Sequence, residues 1–510
     1  MQSFRRPILI LLLVNLLVGL LTFRNYGLSW DEPLFYDYAD SLRYAYSPRE
    51  WFSEDFDLEK AYGISGSDHA NRGPAYIVLA QPLVSALEAF GADKASAWHL
   101  VNFLVFQLGV YLLYRLARRW MSVPAALAAA ALFAWQPLLW GHAFINPKDP
   151  PFLVFFLGAV CFGFEMIDSD SRKFPKSLAL AAFFLGTATS IRVLGPLAGL
   201  LVALYALPRF EARKFKRLAL YAALSLLVAF ALWPYLWEAP LQRFVEVFGF
   251  MSDNPTRLQV LFNGQIYRAD ELPRRYLPVL LGLTLTEPVL PLFSIGVFIA
   301  FWKKIKSHSV ESRPPTADDL ALALWFLIPF AYVLIRKPPM YDGYRHFLFI
   351  LPPLFLFAGF ALEKIFAVAK NGRAVGAIAL LLLAPGIYGS IQLHPYEYAY
   401  YNSLAGGVGG AFRRYETEYW LTCYKEAVEN IDAPGGARLF VKREPYIAQY
   451  YAGEGVSIRD YRAEFGSVQR GDFVLVNTRT NEDLKTFKDA PVVTQIGRGG
   501  AIFCEIKQIP

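Results

Sequence analysis

The chain has 510 residues, 55% hydrophobic and 18% charged, with 50 Lys and Arg against 43 Asp and Glu for a net charge of +7. Soluble domains carry about 25% charged residues, so an average soluble protein is excluded, as is a disordered chain. Three Cys exclude a disulfide scaffold and a Cys-rich zinc module. Residues 393–510 are near neutral, with 14 Lys and Arg against 15 Asp and Glu. The basic excess therefore lies among long apolar runs, which reads as membrane topology and not as nucleic-acid binding.

A bilayer core takes about 20 apolar residues per helix. Eleven stretches qualify: 7–23, 96–116, 123–141, 150–167, 177–191, 193–207, 217–236, 285–302, 319–336, 346–364 and 374–391. No small-residue cleavage site follows the first, which reads as a retained anchor. Cation clusters at Arg5/Arg6, Arg115/Arg118/Arg119, Arg172/Lys173/Lys176, Arg213–Arg217, Lys303–Lys306 and Lys364/Lys370/Arg373 all share one side if the N-terminus is cytoplasmic. Residues 74–90 are apolar too, but counting them as a span would turn the later clusters outward, so they read as a juxtamembrane or re-entrant helix.

The first outer loop, 24–95, is aromatic, and Leu34, Tyr38, Leu42 and Ala45 have the spacing of an interfacial amphipathic helix over 33–46. The second outer loop is 237–284. Residues 1–392 form a membrane module, and 393–510 a small extracytoplasmic α/β domain. Strands are expected at 439–443 and 473–477, helices at 444–452 and 480–488, and a hairpin of 492–496 with 501–506. Cys423 and Cys504 fall on the same side, but spacing does not pair them. No Walker, GxGxxG, HExxH or GxSxG motif is present, which disfavours a nucleotide-driven pump and a zinc protease.

Four places carry chemistry. Asp31-Glu32 follows the first span. Ser29-Trp30-Asp31-Glu32 matches a capping box, but Pro33 disfavours helical geometry at Glu32. The cap and general-base readings stand level. Asn146-Pro147-Lys148-Asp149-Pro150-Pro151 follows Gly141-His142; Asp149 caps the next helix, or Lys148 at a helix start holds an anion. Arg192 is the only charge between Ser177 and Leu207. Tyr341-Asp342-Gly343-Tyr344-Arg345-His346, with Arg336 and Lys337 before it, places cations on the outer side; an anionic lipid headgroup or phosphate would provide a reason, and interface snorkelling is the other. His69, in His69-Ala70-Asn71-Arg72-Gly73-Pro74, is less specific. So are Arg274 and Arg275 in the second outer loop.

Together the sequences SWDEP, TSIRVLGP, RRYLPVLLGLTL and YRHFLFILPP, in this order over residues 1–365, resemble the polytopic GT-C glycosyltransferases. The likeness is to glycosyltransferase family 39, the dolichyl-phosphate-mannose–protein mannosyltransferases and lipid A aminoarabinose transferases. The resemblance implies a plasma-membrane enzyme that moves a hexose or pentose from a polyprenyl-phosphate donor to an acceptor hydroxyl outside the membrane, with inversion. It puts the base on Asp31 and an assisting role on Glu32. Lys148, Arg192 and Arg345 are the candidates for holding the leaving phosphate. His69, His142, Asp149, Tyr341, Asp342, His346, Arg274 and Arg275 are candidate substrate contacts. A divalent metal stays open, and the acceptor is a glycan, a lipid or a protein. The Asn-Pro-Lys-Asp turn and the C-terminal region depart from the family, so no acceptor-binding residue carries over. A lipid-linked substrate transporter or flippase, an envelope scaffold, and a lipid-linked oligosaccharide polymerase or ligase are the alternatives.

Overall fold

The computed structural model of the chain describes residues 6–209, 212–252, 256–306, 317–369, 371–432 and 434–510. Of the orientation clusters, Arg5 and Lys370 lie outside these residues. The first half of the chain forms helices α1 (Arg6–Thr22), α2 (Glu32–Ala45), α3 (Ala75–Ala89), α4 (Lys94–Ala117), α5 (Val123–Ala134), α6 (Pro137–Ile145) and α7 (Asp149–Asp168). It continues with α8 (Phe174–Ile191), α9 (Pro196–Ala206), α10 (Ala212–Ala231) and α11 (Pro240–Ser252). A hairpin of β1 (Gln259–Phe262) and β2 (Gln265–Arg268) precedes α12 (Tyr276–Thr284), α13 (Val289–Lys306), α14 (Ala317–Arg336), α15 (Pro352–Ala369) and α16 (Gly372–Leu393).

Each of the eleven apolar stretches is helical, but helices are not all spans. Among the described residues six, α4, α7, α8, α14, α15 and α16, are long and apolar enough to cross a membrane. The number rises to eight if the bent pairs α5–α6 (60°) and α12–α13 (108°) each cross once. The expected eleven spans are thus a count of helices. α9, for example, has 11 residues, well short of the ~20 that a bilayer core takes.

α7 is the axis of the bundle. Of its apolar window 94% is buried, against 17% for the peripheral α16. Close packing around α7 needs small residues: a Cβ on Gly158 would overlap the Phe184 ring of α8, and one on Gly163 would overlap Val202 of α9. One end of α7 is neutralised by Arg115 on Glu165 and Arg119 on Asp168, with the Arg217 guanidinium on the carbonyls of Met166, Ile167 and Ser169. Lys148 and Asp149 stand at the other end.

The apolar stripe of α2, including Phe35, Tyr38, Ala39, Leu42 and Ala45, is buried within the protein. It does not lie open to the interface as an isolated amphipathic helix would. α3 packs beside it, and Gln81 donates to Asp40 at 2.8 Å.

The C-terminal sheet has β3 (Ala437–Val441), β4 (Val456–Asp460), β5 (Phe473–Asn477), β6 (Val492–Arg498) and β7 (Ala501–Gln508), ordered β4-β3-β5-β7-β6. β3 is parallel to β4 and β5, while β7 is antiparallel to β5 and β6. Strand β4 was not expected, and the expected helix at 480–488 is a 3-10 turn, Arg479–Leu484. Helices α17 (Cys423–Glu429) and α18 (Pro445–Tyr451) complete the region. The Cys423–Cys504 disulfide ties α17 to β7. The chain leaves β3 toward one side and returns to β5 on the other, a switch point of the kind at which open sheets present loops to a ligand. Those loops face the bundle: the Tyr446 hydroxyl donates to the Trp30 carbonyl at 2.7 Å.

Candidate active site

The turn Ser29–Glu32 is built by Glu32. Its carboxylate is fully buried and accepts from the Ser29 amide and the Tyr36 hydroxyl, each at 2.6 Å, with His99 Nε2 3.1 Å away. This is the return half of a capping box; Ser29 spends its own hydroxyl on the Ile145 carbonyl. Glu32 so held leaves Asp31 as the acid that faces outward, 16% exposed, with Oδ2 2.8 Å from Arg345 Nη1. Glu32→Gln is expected to lower stability by about 1–3 kcal/mol, the cost of an unsatisfied buried donor. Thermal unfolding of the detergent-purified protein checks this.

The Asn146–Asp149 turn resolves the capping question differently. Asn146 Oδ1 accepts from the amides of Lys148 (3.1 Å) and Asp149 (2.9 Å), so Asn146 forms the turn that leads into α7. Asp149 is released from that task. Asn146 donates to its Oδ2 at 2.9 Å, Arg192 pairs with its Oδ1, and Arg345 Nη1 lies 3.5 Å from Oδ2. His142 stands one turn back, its ring nitrogens 3.3 Å from Asn146 and 3.2 Å from the Tyr419 hydroxyl.

Lys148 is buried with its ammonium 5.6 Å from the centre of the Phe35 ring. Among the described residues no carboxylate lies within ion-pair distance of it. Burial first, then the nearby Arg72 and Arg192 charges, hold its pKa well below the ordinary lysine value. Arg72 is forked onto Asp68 at 3.1 and 3.2 Å. It is brought here because Gly73 lies against the Ser190 carbonyl, where a Cβ would not fit. His69 is buried under Tyr38, stacked at 4.6 Å, with Nδ1 3.0 Å from the Tyr62 carbonyl, and burial lowers its pKa. It supports the loop.

Arg345 is the hub. Asp342 (φ 56°) and Gly343 (φ 66°) turn the chain left-handed, which puts Asp342 Oδ2 3.2 Å from Arg345 Nη2. The guanidinium lies over the rings of Trp420 (4.5 Å) and Tyr341 (5.1 Å). Burial opposes its charge, but Asp31, Asp342, Tyr341 and Asp149 together hold it protonated, its pKa above the ordinary arginine value. His346 packs edge-on to Tyr341, its pKa lowered by burial and by the neighbouring arginines. The Nε donors of both Arg192 and Arg345 are buried without a hydrogen-bond partner among the described residues. Buried charged donors without acceptors are rare, and they suit an incoming anion.

Of the residues singled out in the sequence, Asp31, Lys148, Asp149, Arg192, Tyr341, Asp342, Arg345 and His346 gather at this end of α7. Arg274 and Arg275 are exposed in the second loop, and among the described residues no ion pair links either to the cluster. Asn146 was named with its turn but given no role, and Arg72, Trp420, Glu416 and Arg479 were missed. Arg72 lay in a motif noted only for its histidine; the last three come from the distant C-terminal region. The donor set does not suit a divalent cation. Asp31 and Asp149 already share Arg345, and Lys148 and Arg192 adjoin them. No three His, Cys, Asp or Glu residues converge as ligands among the described residues.

Residues 79–237 match the family model described as dolichyl-phosphate-mannose-protein mannosyltransferase. No curated protein matches the chain in sequence. The structure of ArnT from Cupriavidus metallidurans in the apo state is similar, with TM-score 0.50 and 15% identity over 98% of this chain and 97% of that one. So is the archaeal oligosaccharyltransferase AglB from Archaeoglobus fulgidus, solved with an inhibitory peptide and a dolichol-phosphate, with TM-score 0.52 and 13% identity over 94% of this chain and 70% of that one. The chain thus has the GT-C glycosyltransferase fold with a small C-terminal sheet domain, and over residues 79–237 it is similar to the dolichyl-phosphate-mannose-protein mannosyltransferases.

Proposed function

We propose that this chain is a membrane glycosyltransferase that moves a sugar from a polyprenyl-phosphate donor to an acceptor hydroxyl. Asp31 takes the hydroxyl proton, the acceptor oxygen bonds to the anomeric carbon, and the bond from that carbon to the phosphate oxygen breaks with inversion. The phosphate keeps the electron pair, and Lys148, Arg192, Arg345 and Arg72 stabilise its charge. Glu32 holds the turn that aims Asp31. One observation carries this reading: a partly exposed carboxylate stands beside the buried Lys148 and two guanidinium Nε groups that have no acceptor among the described residues. The dolichol-phosphate bound by AglB, which shares the fold, supports the donor class. Among the described residues the ion pairs on α7 sit at its two ends and none at mid-depth, which disfavours a transporter. The site and the C-terminal domain share one membrane face, and the Arg115–Arg119 cluster lies at the other. The positive-inside rule supports a cytoplasmic N-terminus and an extracytoplasmic site, and the family likeness supports the plasma membrane.

Mass spectrometry of envelope glycans from a deletion strain, with and without the wild-type chain restored, tests the reading. Loss of one glycan and its return support it; an unchanged glycan profile overturns it. Lys148 gives a second check. Burial and the neighbouring arginines hold its pKa down, and a bound phosphate favours its charged form, so the affinity for polyprenyl monophosphate should fall as pH rises. Phosphate titrates near pH ~6, so a fall above pH ~7.5 belongs to the lysine. Lys148→Met should weaken binding by about 10- to 100-fold, the worth of a charged hydrogen bond, and flatten this pH dependence.

A further inference from the structure

Arg479 brings the sheet of the C-terminal domain to the candidate site. Arg479 stands in the loop that leaves the carboxyl end of β5, and its side chain is 4% exposed. Its Nη2 lies 2.6 Å from Asp342 Oδ1, its Nε 3.3 Å from Glu416 Oε1, and its Nη1 donates to the Tyr419 carbonyl at 3.3 Å. The guanidinium also faces the Trp30 ring at 5.8 Å, next to Asp31 in the chain. Asp342 is fully buried and divides its two oxygens, Oδ1 to Arg479 and Oδ2 to Arg345. Arg345 in turn gives Nη1 to Asp31. The contacts run Arg479–Asp342–Arg345–Asp31 without a break and almost without solvent.

We infer that Arg479 is a positioning residue for the transfer: by taking half of Asp342 it keeps Arg345 directed at Asp31 and the phosphate site, so the membrane bundle's site is complete only with the C-terminal domain in place. This rests on the glycosyltransferase reading above. The physical reason is charge division in a low-dielectric site. Without Arg479 the whole Asp342 charge falls on Arg345, which draws the guanidinium away from Asp31. Burial together with Asp342 pushes the Glu416 carboxyl up to about 7, against the pull of Arg479. Two buried acids therefore depend on this one guanidinium. A lysine in its place supplies the charge but not the fork that reaches Asp342, Glu416 and the Tyr419 carbonyl together.

The test uses the full-length protein in lipid nanodiscs, with kcat, the KM for the donor, and binding of polyprenyl monophosphate as readouts. Arg479→Gln should lower kcat by about 30- to 100-fold, the scale of a displaced catalytic group, with the donor KM within about threefold. Arg479→Lys should fall between it and the wild type. Asp342→Asn should also lower kcat, and the double variant should be no worse than the worse single one, because both act through Arg345. Arg438→Gln is the fold control: it breaks the pair with Asp472 (2.6 Å) at the other end of β3 and should lower thermal stability without changing kcat. If Arg479→Gln does not yield monodisperse protein, Arg479→Lys decides by the same kcat criterion. A wild-type kcat in the Arg479 variants, or additive effects with Asp342→Asn, overturns this inference alone. A wild type that neither binds polyprenyl monophosphate nor transfers sugar overturns the glycosyltransferase reading and this inference with it.

Discussion

Asp31→Asn is expected to lower the rate of sugar transfer by about 10²- to 10⁴-fold, the usual contribution of a general base. The protein should remain folded. The amide has the size of the carboxylate and its carbonyl oxygen still accepts from Arg345, while Glu32 holds the turn through the Ser29 amide and the Tyr36 hydroxyl. The loss should appear in kcat and not in donor binding. Removing the Asp31 charge leaves Arg345 less neutralised, so polyprenyl monophosphate should bind as tightly as before or more tightly. A lower kcat with unchanged or lower KM marks an interaction made in the transition state. The deletion strain carrying Asp31→Asn should lack the same glycan as the deletion itself, at matched membrane expression. Full restoration of that glycan would show that Asp31 is not the base.

Arg345→Met should do more damage, and of a different kind. Arg345 is 4% exposed and pairs with Asp31, Asp149 and Asp342. Deleting it leaves three carboxylates with less compensation. Of these, Asp149 retains Arg192 and Asp342 retains Arg479. Removing one partner of a buried ion pair costs about 3–5 kcal/mol, so thermal stability should fall clearly, in contrast to Asp31→Asn. Transfer should fall at least as far as in Asp31→Asn, since both the aim of Asp31 and the charge opposite the phosphate are lost. Arg345→Lys should recover stability only in part, because an ammonium is a point charge and does not span Asp31 and Asp342 on separate nitrogens. Thermal unfolding and steady-state kinetics on the same preparations measure both effects. Wild-type kcat in Arg345→Met would remove Arg345 from the mechanism.

The two acids at 31 and 32 show where local reasoning stops. From the sequence, the capping box and the general base were level readings of one dipeptide. The fold divides them: Glu32 turns inward to Ser29, Tyr36 and His99, and Asp31 turns outward to Arg345. The Asn146–Asp149 turn shows the same limit. A helix start with an Asp invites the Asp as cap, but Asn146 forms the turn and Asp149 is left for two arginines.

What the sequence by itself determined was the membrane class, the positions of the helices, the sheet-containing C-terminal region and most of the charged residues that meet in the site. These are local properties: apolar length makes a helix in a bilayer, and a charge beside such a run stands out whatever its partner. Which charge meets which was decided only by the tertiary structure. Asp31 and Arg345 are 314 positions apart, and no pattern in either neighbourhood names the other. Arg479 lies in a soluble-looking loop and becomes part of the site because the sheet's carboxyl ends dock on the Trp30 turn. Helix packing around α7 sets these distances to within a few ångströms, and in a buried site that distance separates an ion pair from an isolated charge. The number of spans was likewise open, because apolarity is written residue by residue but whether a short helix such as α9 crosses the bilayer depends on its length and on the helices around it.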